Sequence, residues 1–268
     1  MLRVLYATDL SEHSQKIVNV LIRYKNILKE VVIVKVINVN KFLNPFINLL
    51  ELVEREKALA EEKILGIMDI LEDYDVKCEI FYIPVEDPAK EIVRVAECER
   101  VDVVMLGHRG RSLKNVLLGS VAEEVARISR IPVFVVKDGM DVFRRILYVH
   151  YPLESDIPKI LYNLCKVSER IYITHIVEPL LSPESTSQIF KDNYKKAKDR
   201  LNDIKSKLEK FGVDSEVILR VGYPCNEILR SERNCKVTCI FLKTKDFTKV
   251  ADGVLRHSKS SVLIAKEG

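Results

Sequence analysis

Short apolar runs alternate with longer amphipathic stretches along the whole chain. Residues 4–7 form a brief apolar run, and residues 11–28 then carry Ile17, Val20, Leu21 and Tyr24 at helical spacing. Residues 31–39 are again apolar and β-branched. Residues 45–74 read as a long amphipathic helix with Pro45 near its first turn. Residues 77–83 alternate as a strand, Asp87 and Pro88 open a helix that runs to about Glu99, and residues 102–106 form a buried strand. A helix over 119–129 and a strand over 132–136 complete the set. Five strands and four helices in strict alternation predict a parallel sheet with helices on both faces.

The order then recurs. Arg145–Val149 answers residues 3–7, residues 172–177 answer 34–39, and residues 183–211 supply the long helix. Residues 212–219 answer 75–82, residues 222–228 answer 86–92, residues 237–242 answer 101–106, and Ser261–Lys266 answers 132–137. The offset shortens from 142 residues between Arg3 and Arg145 to 129 between Pro132 and Ser261, so the second copy has lost residues in its loops. Self-similarity at this period predicts a duplicated domain. We place the first domain at 1–138 and the second at 143–268, with the boundary near Gly139, where Gly and Asp interrupt two apolar strands.

Two ordinary domains suit a chain of 268 residues. The net charge of +4 is small, and basic residues mostly lie beside acids on helical stretches, so a nucleic-acid partner is not expected. Six cysteines form no C-x-x-C pair and five histidines are scattered, which points away from a zinc site. The start of the chain has no signal-peptide pattern and no apolar run reaches membrane-spanning length; the expected location is the cytoplasm.

Three of the nine glycines, Gly107, Gly110 and Gly119, cluster between a buried strand and a helix start. Glycines there let a backbone approach a ligand, and the first turn of the helix opened by Ser120 offers N–H groups to a phosphate. Arg109, Arg111, Ser112 and Lys114 in the same loop could add charge-assisted bonds to a phosphate. The plainer alternative is a Gly-bearing turn with a Ser N-cap. The spacing is neither a P-loop nor G-x-G-x-x-G. Asp9 follows the first strand. If strands one and four are neighbours, Asp9 and Gly107 reach one crevice at the carboxyl ends of the strands. The alternative is that Thr8, Asp9 or Ser11 caps the next helix.

Residues 4–12, 105–112, 117–123 and 131–136, in that order, resemble the universal stress protein (UspA) family, over all of residues 1–137 and more weakly beyond. The resemblance implies two tandem Rossmann-like domains of the adenine nucleotide alpha hydrolase-like kind. Each would hold a five-stranded parallel sheet of order 3-2-1-4-5 with helices on both faces. It implies an adenine-nucleotide site for ATP or AMP, with or without Mg2+. Asp9 and the Val36 backbone would hold the adenine, Ala7, Thr8 and Leu106 would wall it, and Gly107 would meet the ribose. Gly110, Arg111, Gly119, Ser120 and Val121 would meet the phosphates. The family's ATP-binding pattern is G-x2-G-x9-G-[ST]; here the second gap is one residue shorter, and Lys35 stands where a His is common. The second copy lacks an Asp at the end of its first strand and, in a loop running from Leu242, retains Gly253 of the three glycines. Lys243, Lys245 and Lys249 could instead hold another anion. The resemblance also implies pairing of residues 132–136 with 261–265 within the chain, and a homodimer is compatible with it.

No hydrolytic machinery is evident, and the expected role is a stress-response regulatory or binding module rather than an enzyme. The competing classes are a ligand-free scaffold with vestigial sites, a nucleotide hydrolase for which His108 is the candidate general base, and an ATP-consuming relative of the same architecture. The S-G-G-x-D-S and H-I-G-H motifs of related ATP-consuming enzymes do not occur.

Overall fold

The computed structural model describes residues 1–38, 49–85, 87–108, 119–137, 140–178 and 186–266. Contacts divide the chain into two units, Met1–Met140 and Asp141–Gly268. In the first, β1 (Leu2–Thr8) and β2 (Leu28–Asn38) are followed by β3 (Cys78–Val85), β4 (Val103–Gly107) and β5 (Val133–Val136). They lie in the order β3-β2-β1-β4-β5, and the paired strands are parallel. Covering both faces of such a sheet requires strands apolar throughout rather than alternately. Accordingly, Val31–Val34 of β2 and Val133–Val136 of β5 are buried at every position.

The helices are α1 (Glu12–Arg23), α2 (Leu49–Glu72), α3 (Pro88–Cys98) and α4 (Ser120–Ile128). α1 packs with α2 and α3 with α4, each pair against the sheet. In α2, Ala60, Ile64, Ile67 and Leu71 recur at steps of three and four and are all buried, as an amphipathic helix on a sheet requires. α3 starts where the sequence places it, with Pro88 in its first turn and Asp87 Oδ1 accepting from Lys90 N at 3.3 Å. α1 is shorter than the predicted 11–28. It ends at Arg23, a 3-10 turn spans Lys25–Ile27, and β2 already begins at Leu28. Pro45, Val39 and the Gly139 boundary lie outside the described residues.

At the amino edge of the first sheet, Arg3 donates to Glu30 (2.7 Å), Glu99 (2.8 Å) and Glu79 (3.2 Å), while its own N–H meets Asp102 Oδ2 at 2.7 Å. Asp102 thus serves the edge opposite the strand carboxyl ends.

The second unit contains β6 (Arg145–Val149), β7 (Arg170–Val177), β8 (Asp214–Val221), β9 (Cys239–Thr244) and β10 (Ser261–Lys266). Their order, β10-β9-β6-β7-β8, is the same topology read from the other side, and the pairs are again parallel. Its helices are α5 (Lys159–Cys165), α6 (Thr186–Glu209), α7 (Pro224–Cys235) and α8 (Lys249–His257). The sequence reading did not separate α5, which has only seven residues; Ile160, Leu161 and Leu164 at helical spacing are its buried face. Residues 249–253, read as the tail of a loop, belong to α8.

Candidate nucleotide site in the first unit

β1 and β4 are neighbours, with Ala7 in register with Leu106. Asp9 and Gly107 therefore leave the sheet side by side at its carboxyl edge. The N–H of Gly119 donates to the carbonyl of His108 at 2.8 Å, which fixes the start of α4 against the end of β4. Ala7, Leu106, Asp9, Gly107, Gly119, Ser120 and Val121 are brought to one edge of one sheet, and Val36 lies near the same end of β2. Ala7 and Leu106 are buried, Val36 and Val121 half-buried, and Ser120 exposed. Gly110 and Arg111, with Arg109, Ser112 and Lys114, lie outside the described residues.

The turn that presents Asp9 is built from hydroxyls. Tyr6 Oη donates to the Ser14 carbonyl at 2.8 Å, Ser14 Oγ donates to Thr8 Oγ1 at 2.8 Å, and Thr8 Oγ1 accepts the Leu10 N–H at 3.0 Å. Burial pushes the Tyr6 phenol above its ordinary pKa, so it stays a donor. Leu10 is held at φ 61°, a left-handed conformation that costs a non-glycine residue about 1 kcal/mol and that the bonds to Thr8 offset. The helix cap is Ser11, whose Oγ accepts Ser14 N at 3.3 Å. Asp9 Oδ1 accepts Ser11 N at 3.0 Å, so the carboxylate is oriented by the turn without being the helix cap.

At α4 the N-cap is Gly119, which has no side chain of its own to cap the first turn. The N–H groups of such a turn are available to an anion, and the helix dipole favours one there. The second unit differs at this point. α4 and α8 have nine residues each, and the offset of 129 sets Ser120 against Lys249 and Gly119 against Thr248. Thr248 Oγ1 accepts Ala251 N at 3.3 Å, closing the turn from within. Gly253 is consequently no counterpart of Gly119. It sits in the middle of α8, where an added Cβ would lie 2.7 Å from Cys225 Sγ. It is a packing glycine between α7 and α8.

A model of the universal stress protein family matches residues 1–137. The chain belongs to the universal stress protein family. A universal stress protein of Methanocaldococcus jannaschii is 33% identical over 155 residues, covering 50% of this chain and 94% of that protein. A second one from the same organism is 34% identical over 111 residues, covering 40% of this chain and 65% of that protein. Among solved structures, a universal stress protein from Archaeoglobus fulgidus superimposes with a TM-score of 0.74 and 24% identity, over 100% of this chain and 97% of that one. This last likeness concerns the fold and spans both units.

The second unit of this universal stress protein replaces the candidate site residues position by position. Sheet register sets Thr8 against His150, Asp9 against Tyr151, Lys35 against His175 and Gly107 against Lys243. His150 is fully buried. Its Nδ1 lies 2.7 Å from Tyr148 Oη, and its Nε2 lies 3.2 Å from the Leu153 carbonyl. From α6, Arg200 donates to the carbonyls of Leu153 (3.2 Å) and Ser155 (2.7 Å) and to Asp203 (2.8 Å). Sequence reasoning missed His150, Thr248 and Arg200. Thr248 carried a signal, a Thr directly before an apolar helical run. Arg200 carried none, because nothing local distinguishes it from the other basic residues of a long charged helix.

Among the described residues, no group of three or more His, Cys, Asp or Glu side chains is placed to hold a metal ion. No described helix is long and apolar enough to cross a membrane.

Proposed function

We propose that this universal stress protein binds one adenine nucleotide, ATP or AMP, in its first unit and acts as a stress-response regulatory module in the cytoplasm. The observation that carries the reading is the convergence of Asp9, Gly107 and the side-chain-free N-cap Gly119 at the carboxyl edge of the adjacent strands β1 and β4. The residues fit the ligand chemically. A carboxylate accepts from an adenine amino group or ribose hydroxyls, glycines allow backbone approach, and the first turn of α4 answers negative phosphate oxygens. Gly110 and Arg111 would add phosphate contacts by the family pattern, and Mg2+ would accompany a triphosphate.

Binding rather than turnover is the proposed role. The carboxylate the site supplies, Asp9, stands at the base end, and Asp102 serves the opposite edge through Arg3. A hydrolase needs a metal-holding carboxylate near the γ-phosphate and a group that positions water.

Calorimetric titration of the full chain with ATP, ADP and AMP tests the reading. One nucleotide should bind per chain, and Gly119→Val should abolish binding while the circular dichroism spectrum is kept. Full affinity in that variant rejects the site, and release of ADP or AMP with multiple turnovers rejects the non-enzymatic role.

By the same resemblance we propose that residues 132–136 pair with 261–265 within one chain. A paired strand is not free to associate edge to edge. Hydrogen exchange at the amides of Val133–Val136 should then be as slow as in β4; fast exchange there rejects the pairing.

A further inference from the structure

We infer that β8 is a self-pairing edge: two copies of this chain join their β8 strands antiparallel about a two-fold axis at Ile218, with Glu216 of each copy opposite the partner's Arg220.

β8 is the outermost strand of the second unit's sheet, and among the described residues it pairs with β7 alone. The N–H of Gly222 donates to the Val177 carbonyl at 3.1 Å, and the Ile218 carbonyl accepts from Thr174 Oγ1. Backbone groups alternate in direction along a strand, so Glu216, Ile218 and Arg220 turn theirs toward β7. Ser215, Val217, Leu219 and Val221 turn theirs outward. Such an edge is a template for another strand, and proteins commonly blunt it with Pro or Lys. The first unit does so. Its outermost strand is β3, where Pro84, in register with Ile37, stands at the position of Val221, in register with Val177. The Lys77 carbonyl accepts from the Val31 N–H at 2.8 Å, so by the same alternation position 84 turns outward, and proline removes the donor there. β8 carries neither Pro nor Lys.

The sequence of the strand selects the occupant. Glu216, Val217, Ile218, Leu219 and Arg220 run acid, three aliphatics, base, so reversing the segment sets acid against base and aliphatic against aliphatic. With Ile218 on the axis, Ile218 meets itself, Val217 meets Leu219, Ser215 meets Val221 and Glu216 meets Arg220. Moving the axis by one residue sets Glu216 against Ile218 or Gly222 instead. Val217 and Leu219, whose backbones face outward, form the hydrogen-bonded pairs. Glu216 and Arg220 fall in non-hydrogen-bonded pairs, where side chains approach more closely. Opposite charges directly across such a pair stabilise it, and like charges destabilise it.

Both charged residues suit that role. Four apart on one strand, they share a face. Arg220 Nε is buried and has no hydrogen-bond partner among the described residues, although buried polar groups are generally paired. Glu216 is exposed, and its ion pair with Arg170 is long at 3.8 Å because Arg170 Nε already donates to Asp214 at 2.7 Å. The carboxylate of a second copy reaches the Arg220 guanidinium on their common face, and the contact occurs twice about the axis. Val217, Ile218 and Leu219 are only half-buried and Val221 is 45% exposed, so the aliphatic side chains gain burial in the same step.

The test is sedimentation velocity of the full chain over a concentration series, with hydrogen exchange read in parallel. The unaltered chain should pass from monomer to dimer as concentration rises. Exchange at the Val217 and Leu219 amides should slow in step, a readout that needs no variant. Arg220→Glu and Glu216→Arg each set like charges across both pairs and should raise the dimer dissociation constant roughly tenfold or more. Mixing the two variants restores opposite charges at both pairs and should return a heterodimer of near-original affinity, which a folding defect in either variant could not do. A chain that stays monomeric at millimolar concentration, a dimer indifferent to both reversals, exchange at those two amides independent of concentration, or a mixture no tighter than either variant alone would each overturn the assignment.

Discussion

Tyr148 Oη and His150 Nδ1 lie 2.7 Å apart, and both residues are fully buried. Burial, with Arg200 next, brings the His150 imidazole down to about 4. An unfolded chain binds a proton at this histidine near pH 6.5, whereas the folded chain resists until about pH 4. Stability from this group is therefore complete at neutral pH and declines as the pH falls through that window, by roughly 3 kcal/mol at most. Urea unfolding between about pH 7 and pH 4 should show the decline, with a clearly shallower one in His150→Gln. Equal slopes in the two proteins would refute the assignment.

Asp9 and Ser11 divide the work of the first turn. Asp9→Ala should weaken nucleotide binding by about 1–3 kcal/mol through a lost hydrogen bond to the ligand. Ser11→Ala should instead cost about 1 kcal/mol of stability as a lost cap, with a smaller effect on affinity. Calorimetry and denaturation of both variants read the two effects, and an unchanged dissociation constant for Asp9→Ala returns that residue to a purely local role.

Gly119 holds φ −66° and ψ 133°, a conformation open to any residue. Gly119→Asp should therefore fold and cap α4, changing stability by no more than a few tenths of a kcal/mol. The same carboxylate would occupy the first-turn N–H groups and repel phosphate. The expected result is a protein of near-normal thermal stability that no longer binds ATP.

Gly253 and Cys225 are coupled by contact. Gly253→Ala places a methyl against Cys225 Sγ, and the strain should outweigh the gain in helix propensity, for a net loss of about 1 kcal/mol. Cys225→Ala combined with Gly253→Ala should recover that loss. A double-mutant cycle with no coupling would place the two residues out of contact.

Much of the architecture was legible because parallel sheets covered on both faces leave a strong apolar record. β6 and β10 match their predicted spans, and β5 begins one residue after its own. Asp87 and Pro88 announced α3 through capping chemistry that is local by nature. Less legible were elements whose ends depend on what packs against them. α1 stops at Arg23 because Leu28 is already needed in β2. The start of α8 was hidden because a Gly inside a helix resembles a loop glycine until Cys225 of α7 is set against it.

The linear sequence by itself determined the alternation of strands and helices, the duplication and the residue types after β1 and β4, all of which rest on short-range periodicity and on repetition. Only the tertiary structure decided which of those residues share an edge. It set Thr248 rather than Gly253 against Gly119, and it made β8, with Glu216 and Arg220, the outermost strand of its sheet among the described residues. The physical reason is that register and helix start are fixed by hydrogen bonds between strands distant in sequence, such as Val149 with Leu242, and no local pattern encodes these.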